Sequence, residues 1–155
     1  MKVTICVVGR LRKSPELELI TDYLDRFNKA GRGMGLGPVT VIEVEDKKNL
    51  GMDAEAALLD RALPPGAVMV TLDERGDLVS SPEFATRLGG WRDAARDVAF
   101  VIGGADGIAP TLRARADWSL SFGRMVWPHM LVRVMLAEQL YRAGQILAGT
   151  PYHRV

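Results

Sequence analysis

Three segments carry residue types and spacings that could do chemistry. The first is Gly103-Gly104-Ala105-Asp106-Gly107, directly after the apolar run 98–102. Glycines just past a buried strand let the backbone approach a ligand and expose its N–H groups. The spacing is G-G-x-x-G, so it is neither a dinucleotide fingerprint nor, without a following Lys-Ser or Lys-Thr, a P-loop. A bare strand-to-helix turn explains it as well as a ligand does. Any ligand there is expected to be neutral or zwitterionic rather than a phosphate. The second segment is Phe122-Gly123-Arg124-Met125-Val126-Trp127-Pro128-His129. It is apolar and aromatic where a polar loop belongs. A ligand, a partner subunit or an unusual chain path must cover it, and its backbone groups then need partners. The edge of an adenine offers a donor beside an acceptor. The third is the chain end, Pro151-Tyr152-His153-Arg154. An aromatic, an imidazole and a cation suit base stacking, proton transfer and phosphate binding; the competing reading is a frayed terminus. His129 and His153 are the two histidines, and no Cys/His/acid cluster has metal-ligand spacing, so no metal site is expected.

These segments need elements to position them. Residues 2–8 read as a buried strand ended by Gly9. Ser14-Pro15-Glu16 opens a helix with a Ser cap, an early Pro and an acid near the positive end. Its Leu17, Ile20, Leu24 and Phe27 form one apolar face, and Gly31 stops it. The glycine-rich 31–38 is expected to be a loop. Strands are expected at 39–44, 67–72, 98–102 and 118–122, with a turn at 73–77. Helices are expected at 53–63, from the second Ser-Pro-Glu start at Ser81, at 110–116 and at 128–148. Residues 45–49 form a charged loop, either plain solvated surface or RNA-facing. Alternating strands and helices imply an α/β fold: a mostly parallel sheet flanked by helices. Ligands bind such sheets at the carboxyl ends of strands, here after Leu72, Ile102 and Phe122.

In the last helix Leu136, Leu140, Ala143 and Leu147 form one apolar stripe, with Met130, Val134, Ala137 and Tyr141 beside it. Glu138, Arg142 and Gln145 lie opposite. Arg133 falls amid the apolar residues, either snorkelling or bound to a carboxylate or an RNA phosphate. So wide an apolar face suits contact with another subunit.

The chain has 155 residues, 48% of them apolar, and a net charge of +1, consistent with one domain spanning 1–155. The near-zero charge argues mildly against a generic nucleic-acid binder. Cys6 in an apolar run reads as a core thiol in a reducing compartment. The start lacks a signal-peptide pattern and no apolar stretch reaches about 18 residues. A soluble, cytoplasmic protein without membrane contact is expected.

Taken in order, these motifs resemble the large-subunit ribosomal RNA methyltransferase H family. The resemblance covers the whole chain: Met1 to Gly9, Val70-Thr71-Leu72-Asp73, Ile102-Gly103-Gly104 with Gly107, Leu120-Ser121, Pro128-His129, Arg133-Val134, Glu138-Gln139, Tyr141-Arg142-Ala143 and Pro151 to Arg154. It implies a SPOUT fold whose C-terminal part is threaded as a deep trefoil knot, a homodimer, and S-adenosylmethionine (SAM) as cofactor. It implies SAM contacts at Leu72, Gly103 and Gly104, and at Phe122, Gly123, Arg124, Met125, Val126 and Trp127. The implied activity is methylation of N3 of a pseudouridine in helix 69 of 23S rRNA, on the assembled ribosome. The N3 proton must leave, and His153 is the preferred base over His129 because a tail can fold over the target. Tyr152 is a candidate stacking platform; Arg133, Arg142 and Arg154 are candidate RNA contacts. A non-enzymatic flavodoxin-like nucleotide-binding module, or a SPOUT enzyme acting on tRNA, would be the competing functions.

Overall fold

The computed structural model describes residues 1–154; Val155, the last residue of the expected domain, lies outside the described residues. Strands and helices alternate: β1 (Val3–Val8), α1 (Pro15–Gly31), β2 (Val39–Val44), α2 (Met52–Ala62), β3 (Val68–Leu78), α3 (Ser81–Asp93), β4 (Val98–Ile102), α4 (Pro110–Ala114), β5 (Trp118–Ser121) and α5 (His129–Ala148). The strands form one sheet in the order β2-β1-β4-β3-β5, and every pair is parallel. All five carboxyl ends therefore share one edge.

The strand pattern explains the layers. Successive side chains point to opposite faces. Val3, Ile5 and Val7 join the larger core, which holds residues of α1, α3 and α5, whereas Cys6 and Val8 join a smaller one with Leu59 of α2 and Leu112 of α4. Both faces are covered, so β1 and β4 read as unbroken apolar runs. Burial pushes the Cys6 thiol up to about 11, as befits a core residue.

Local signals set the helix starts. The Ser14 hydroxyl accepts from the Leu17 N–H at 3.2 Å. In α3 the cap is Ser80, one residue before the Ser-Pro-Glu start, and accepts from Glu83 N–H at 3.2 Å. Ser81 is left free to donate to Gln139 of α5 at 2.8 Å.

The clearest departure from expectation is β3. Residues 73–77 are not a plain turn. The strand resumes and ends at Leu78, with a register shift: Leu120 pairs with both Leu72 and Asp77, so residues 73–76 bulge outward. Two contacts hold the second half. A Cβ on Gly76 would lie 2.6 Å from the Ser119 carbonyl oxygen, so glycine lets the chain press onto β5. Trp118 Nε1 donates to Asp77 at 2.9 Å. The polar composition that suggested a turn reflects an exposed bulge.

Leu136 and Leu140 of α5 are fully excluded from solvent against the sheet. Full burial of one such side chain contributes about 1.5–3 kcal/mol. Leu140→Ala should cost about 2–5 kcal/mol by removing contacts and leaving a cavity. Urea denaturation monitored by circular dichroism measures it; a loss under about 1 kcal/mol would show that α5 is not central to the core.

Candidate functional site

Since β4, β3 and β5 are neighbours in the sheet, the three strand ends expected to bind ligand lie side by side. A cavity of about 560 Å³ opens there, lined by the β3 bulge, the 103–108 turn and the segment from Phe122 to Val132. Leu72, Gly103, Gly104, Phe122, Gly123, Met125, Val126 and Trp127 all line it, and so does His129. Arg124 is exposed and is not part of the wall.

The turn folds on itself: Gly107 N–H donates to the Gly104 carbonyl at 3.0 Å. A Cβ on Gly103 would stand 2.5 Å from the Gly107 carbonyl oxygen, and one on Gly104 would stand 3.0 Å from Glu55 Oε2. The chain's own closure thus demands glycine at 103 before any ligand does, whereas at 104 the neighbour is the movable end of a side chain. A bulky residue at Gly103 would damage the turn itself and is a poor probe of the cavity.

The apolar segment is held at its start and open along its length. The Ser121 hydroxyl accepts from Gly123 N–H at 3.0 Å and lies 3.2 Å from the Glu74 carbonyl oxygen, joining the segment to the bulge. Yet Met125, Val126 and Trp127 are 76%, 78% and 42% exposed. The chain path within one subunit does not cover them, which leaves a ligand or a second subunit. Contiguous exposed apolar side chains on a cavity wall are the mark of a binding surface.

Among the charged residues of the cavity wall, Asp73 is the buried one, and its type alone did not mark it as a site. Asp73 receives Arg75 backbone N–H at 2.8 Å, Arg75 Nε and Nη2 at 3.0 Å each, and lies 3.5 Å from Arg113 Nη1. Burial pushes its carboxyl up, but the Arg75 hydrogen bonds and the charges of Arg75 and Arg113 together bring it below the ordinary carboxylate value. The available signal was an acid placed directly after an apolar strand. Burial, and secondarily the Arg133 charge, hold His129 below the ordinary imidazole value of 6.5, so it is neutral near pH 7.

Arg133 is not placed as an RNA contact. It is 5% exposed, donating to the Val8 and Gly9 carbonyls at 2.8 and 2.7 Å and to Glu43 at 3.1 Å. Its Nη1 and Nη2 serve these three oxygens and its Nε is buried without a partner, so burial keeps the guanidinium from any phosphate.

The tail is ordered against α5 rather than frayed. Tyr152 donates to Glu138 at 3.2 Å, its ring meets Tyr141 edge-on at 4.7 Å, and Arg142 sits 4.9 Å over it. Arg142 also pairs with Glu138 at 2.7 Å and lies 3.1 Å from His153 Nδ1. Arg154 is exposed. None of these residues lines the cavity of its own chain. Their anchor Glu138 instead lines a second hollow of about 550 Å³ between α1, α3 and α5, which shares Phe122 and Gly123 with the first. Among the described residues, no group of three or more His, Cys, Asp or Glu is placed to hold a metal ion, and no helix is long and apolar enough to cross a membrane.

A parallel sheet with a cavity at the ends of three adjacent strands defines a class. The family described as "Predicted SPOUT methyltransferase" matches residues 1–153. The chain is 70% identical to the ribosomal RNA large subunit methyltransferase H of Ruegeria pomeroyi, over 100% of both chains. It is 71% identical to that of Paracoccus denitrificans, over 99% of both. The chain belongs to the SPOUT methyltransferases and, within them, to the large-subunit ribosomal RNA methyltransferase H family. Among solved structures, a probable methyltransferase from Bordetella pertussis Tohama I superposes with a TM-score of 0.56 at 15% identity, covering 92% of this chain and 95% of that one. A probable methylase family protein from Haemophilus influenzae gives 0.54 at 12% identity, covering 99% and 70%. These last two show the shared fold.

The His129 environment has a measurable consequence. Its folded-state value lies below 6.5, so the unfolded chain takes the proton more readily. The stabilisation is complete above about pH 6.5 and is lost as pH falls from there through the folded-state value. The His129 ring should titrate by NMR with a midpoint below 6.5, and His129→Gln should flatten the loss of stability in that window. A midpoint at or above 6.5 would contradict this environment.

Proposed function

We propose that the protein transfers a methyl group from SAM to N3 of a pseudouridine in helix 69 of 23S rRNA, on the assembled ribosome and as a homodimer. It acts as a single cytoplasmic SPOUT domain with a knotted C-terminal part. The observation that carries this reading is the cavity, whose wall unites the segments the family resemblance assigns to the cofactor. Relatives sharing about 70% of its residues are named large-subunit ribosomal RNA methyltransferases, which favours this reading over a nucleotide-binding module or a tRNA enzyme.

The residues present fit SAM. Leu72, Phe122, Met125, Val126 and Trp127 offer apolar surface, and the 103–107 turn offers backbone N–H and C=O groups for a zwitterionic ligand. When bound, SAM supplies an electrophilic methyl. What the chain supplies is chiefly orientation, since in-line substitution gains most from positioning. Arg124, exposed on the same segment, reaches the cofactor or the RNA from outside the wall.

The N3 proton needs an acceptor. His129 lies in the cavity wall and is neutral, so it can take one. His153, the preferred base, is held by Arg142 on α5 away from its own cavity. His153, Tyr152 and Arg154 therefore act on the cavity of the other subunit, where Tyr152 stacks and Arg154 and Arg142 meet phosphates. The exposed 125–127 surface and the second hollow give the two subunits apolar area to share.

Two measurements test this. Incubation with labelled SAM and ribosomes, followed by nucleotide mapping, should place label on one pseudouridine of the large-subunit RNA. Label confined to tRNA would overturn the substrate. Truncation after Pro151 should leave SAM affinity within about twofold. It should cost little stability, because one aromatic contact is worth about 0.5–1.5 kcal/mol, and should abolish methyl transfer. Full transfer by the truncated protein would remove the tail from the mechanism, and lost SAM binding would move it to the cofactor pocket.

A further inference from the structure

The overall charge is +1, yet the cations are not evenly placed. The β1–α1 loop holds Arg10, Arg12 and Lys13, and the β2–α2 loop holds Lys47 and Lys48; all five are exposed. β1 and β2 are parallel neighbours, so both loops leave the same edge of the sheet, the edge at which the cavity opens. β1 also borders β4, whose following turn forms the cavity wall. The β1–α1 loop therefore begins one strand spacing, about 4.8 Å, from that wall, and the β2–α2 loop two spacings away.

The two loops are joined into one surface. Gly9 N–H donates to the Val44 carbonyl at 2.7 Å and Leu11 N–H to Glu43 at 2.6 Å. Arg133 reaches up from α5 to hold Gly9 and Glu43 together. The same helix turn carries His129 into the cavity.

Two acids of these loops are paired: Glu43 serves Arg133 and Leu11, and Glu45 pairs with Arg10 at 3.6 Å. Asp46 receives Gly51 N–H at 2.8 Å but keeps its charge, which acts on Glu55 of α2. Among the described residues, Arg12, Lys13, Lys47 and Lys48 make no ion pair. Four exposed, unneutralised cations on one braced edge beside the cavity match a run of backbone phosphates.

We propose that these two loops form a phosphate-binding rim for the substrate RNA. Arg12, Lys13, Lys47 and Lys48 contact its backbone, and Arg133 acts as the positioning residue beneath them. The identity of the RNA rests on the reading above; the rim itself does not require methyl transfer to be observed. Phosphate contacts position rather than specify, so the rim would set the register of the RNA over the cavity while base recognition lies elsewhere.

The test is binding to purified large ribosomal subunits across a series of KCl concentrations. Each phosphate contact contributes about 0.7–0.9 to the slope of log K against log salt. Lys47→Gln with Lys48→Gln should make the slope shallower by about 1.5. Adding Arg12→Gln and Lys13→Gln should bring the loss to about 3, with affinity near 0.1 M salt at least about tenfold weaker. SAM affinity by calorimetry should not change. The comparison of equal charge is Lys2→Gln with Arg96→Gln, on the opposite edge, which should leave the slope as it is. Equal slopes in all proteins, an equal effect of the Lys2/Arg96 pair, or a wild-type protein whose binding ignores salt would each overturn the rim. Wild-type binding without methylation of the same ribosomes would instead sink the functional reading, leaving the rim's slopes interpretable.

Discussion

The Arg133 guanidinium is the interaction on which the working edge of this molecule depends. β1 ends with carbonyls at Val8 and Gly9 inside the fold, and buried carbonyls require donors. Arg133 supplies them from α5 and takes Glu43 of β2 as its counter-ion. Burial lowers the guanidinium's proton affinity and Glu43 raises it again, and arginine remains charged under any physiological condition. Removing Glu43 would leave the buried guanidinium without its counter-ion, the costly way to break such a pair, whereas Glu43 itself reaches solvent. One side chain thereby ties α5 to two loops and to the turn of helix that bears His129.

The order of the strands does the rest. Placing β3 between β4 and β5 brings three separate ligand-suited segments to adjacent positions. The bulge in β3 then turns Asp73 inward, where Arg75 and Arg113 keep it ionised. The glycine turn closes because nothing larger than hydrogen fits between Gly103 and Gly107. The cavity is thus built from requirements of the chain's own packing. Its shape is set before any ligand enters.

One chain carries the parts of a site in two places. The cavity and His129 lie at the strand ends, while Tyr152, His153 and Arg142 form a separate cluster on Glu138. The exposed Met125, Val126 and Trp127 lie on the cavity side. Apolar surface thus stays uncovered on one side, with an aromatic and cationic cluster displaced on the other.

Much of this could be read from residue order alone. Apolar runs of five or six residues alternating with capped amphipathic segments specify a covered parallel sheet, because the burial period is local. The three cavity-lining segments were legible for the same reason: glycine and apolar residues are out of place in ordinary loops. The 73–77 turn was misread because Asp-Glu-Arg-Gly-Asp carries turn chemistry, and only the β5 edge beside it makes a strand. For Arg133 the carboxylate alternative holds rather than the RNA contact; a cation on an apolar helix face does not reveal which, since the two carbonyls and Glu43 lie over 80 residues away in sequence. The exposure of Met125 and Val126 and the joining of Lys47 and Lys48 to Arg12 and Lys13 on one edge also depend on long-range pairing. Local periodicity determined which elements form and which segments are unusual; the sheet order and the buried ion pair, set by contacts distant along the chain, decided which of those segments meet.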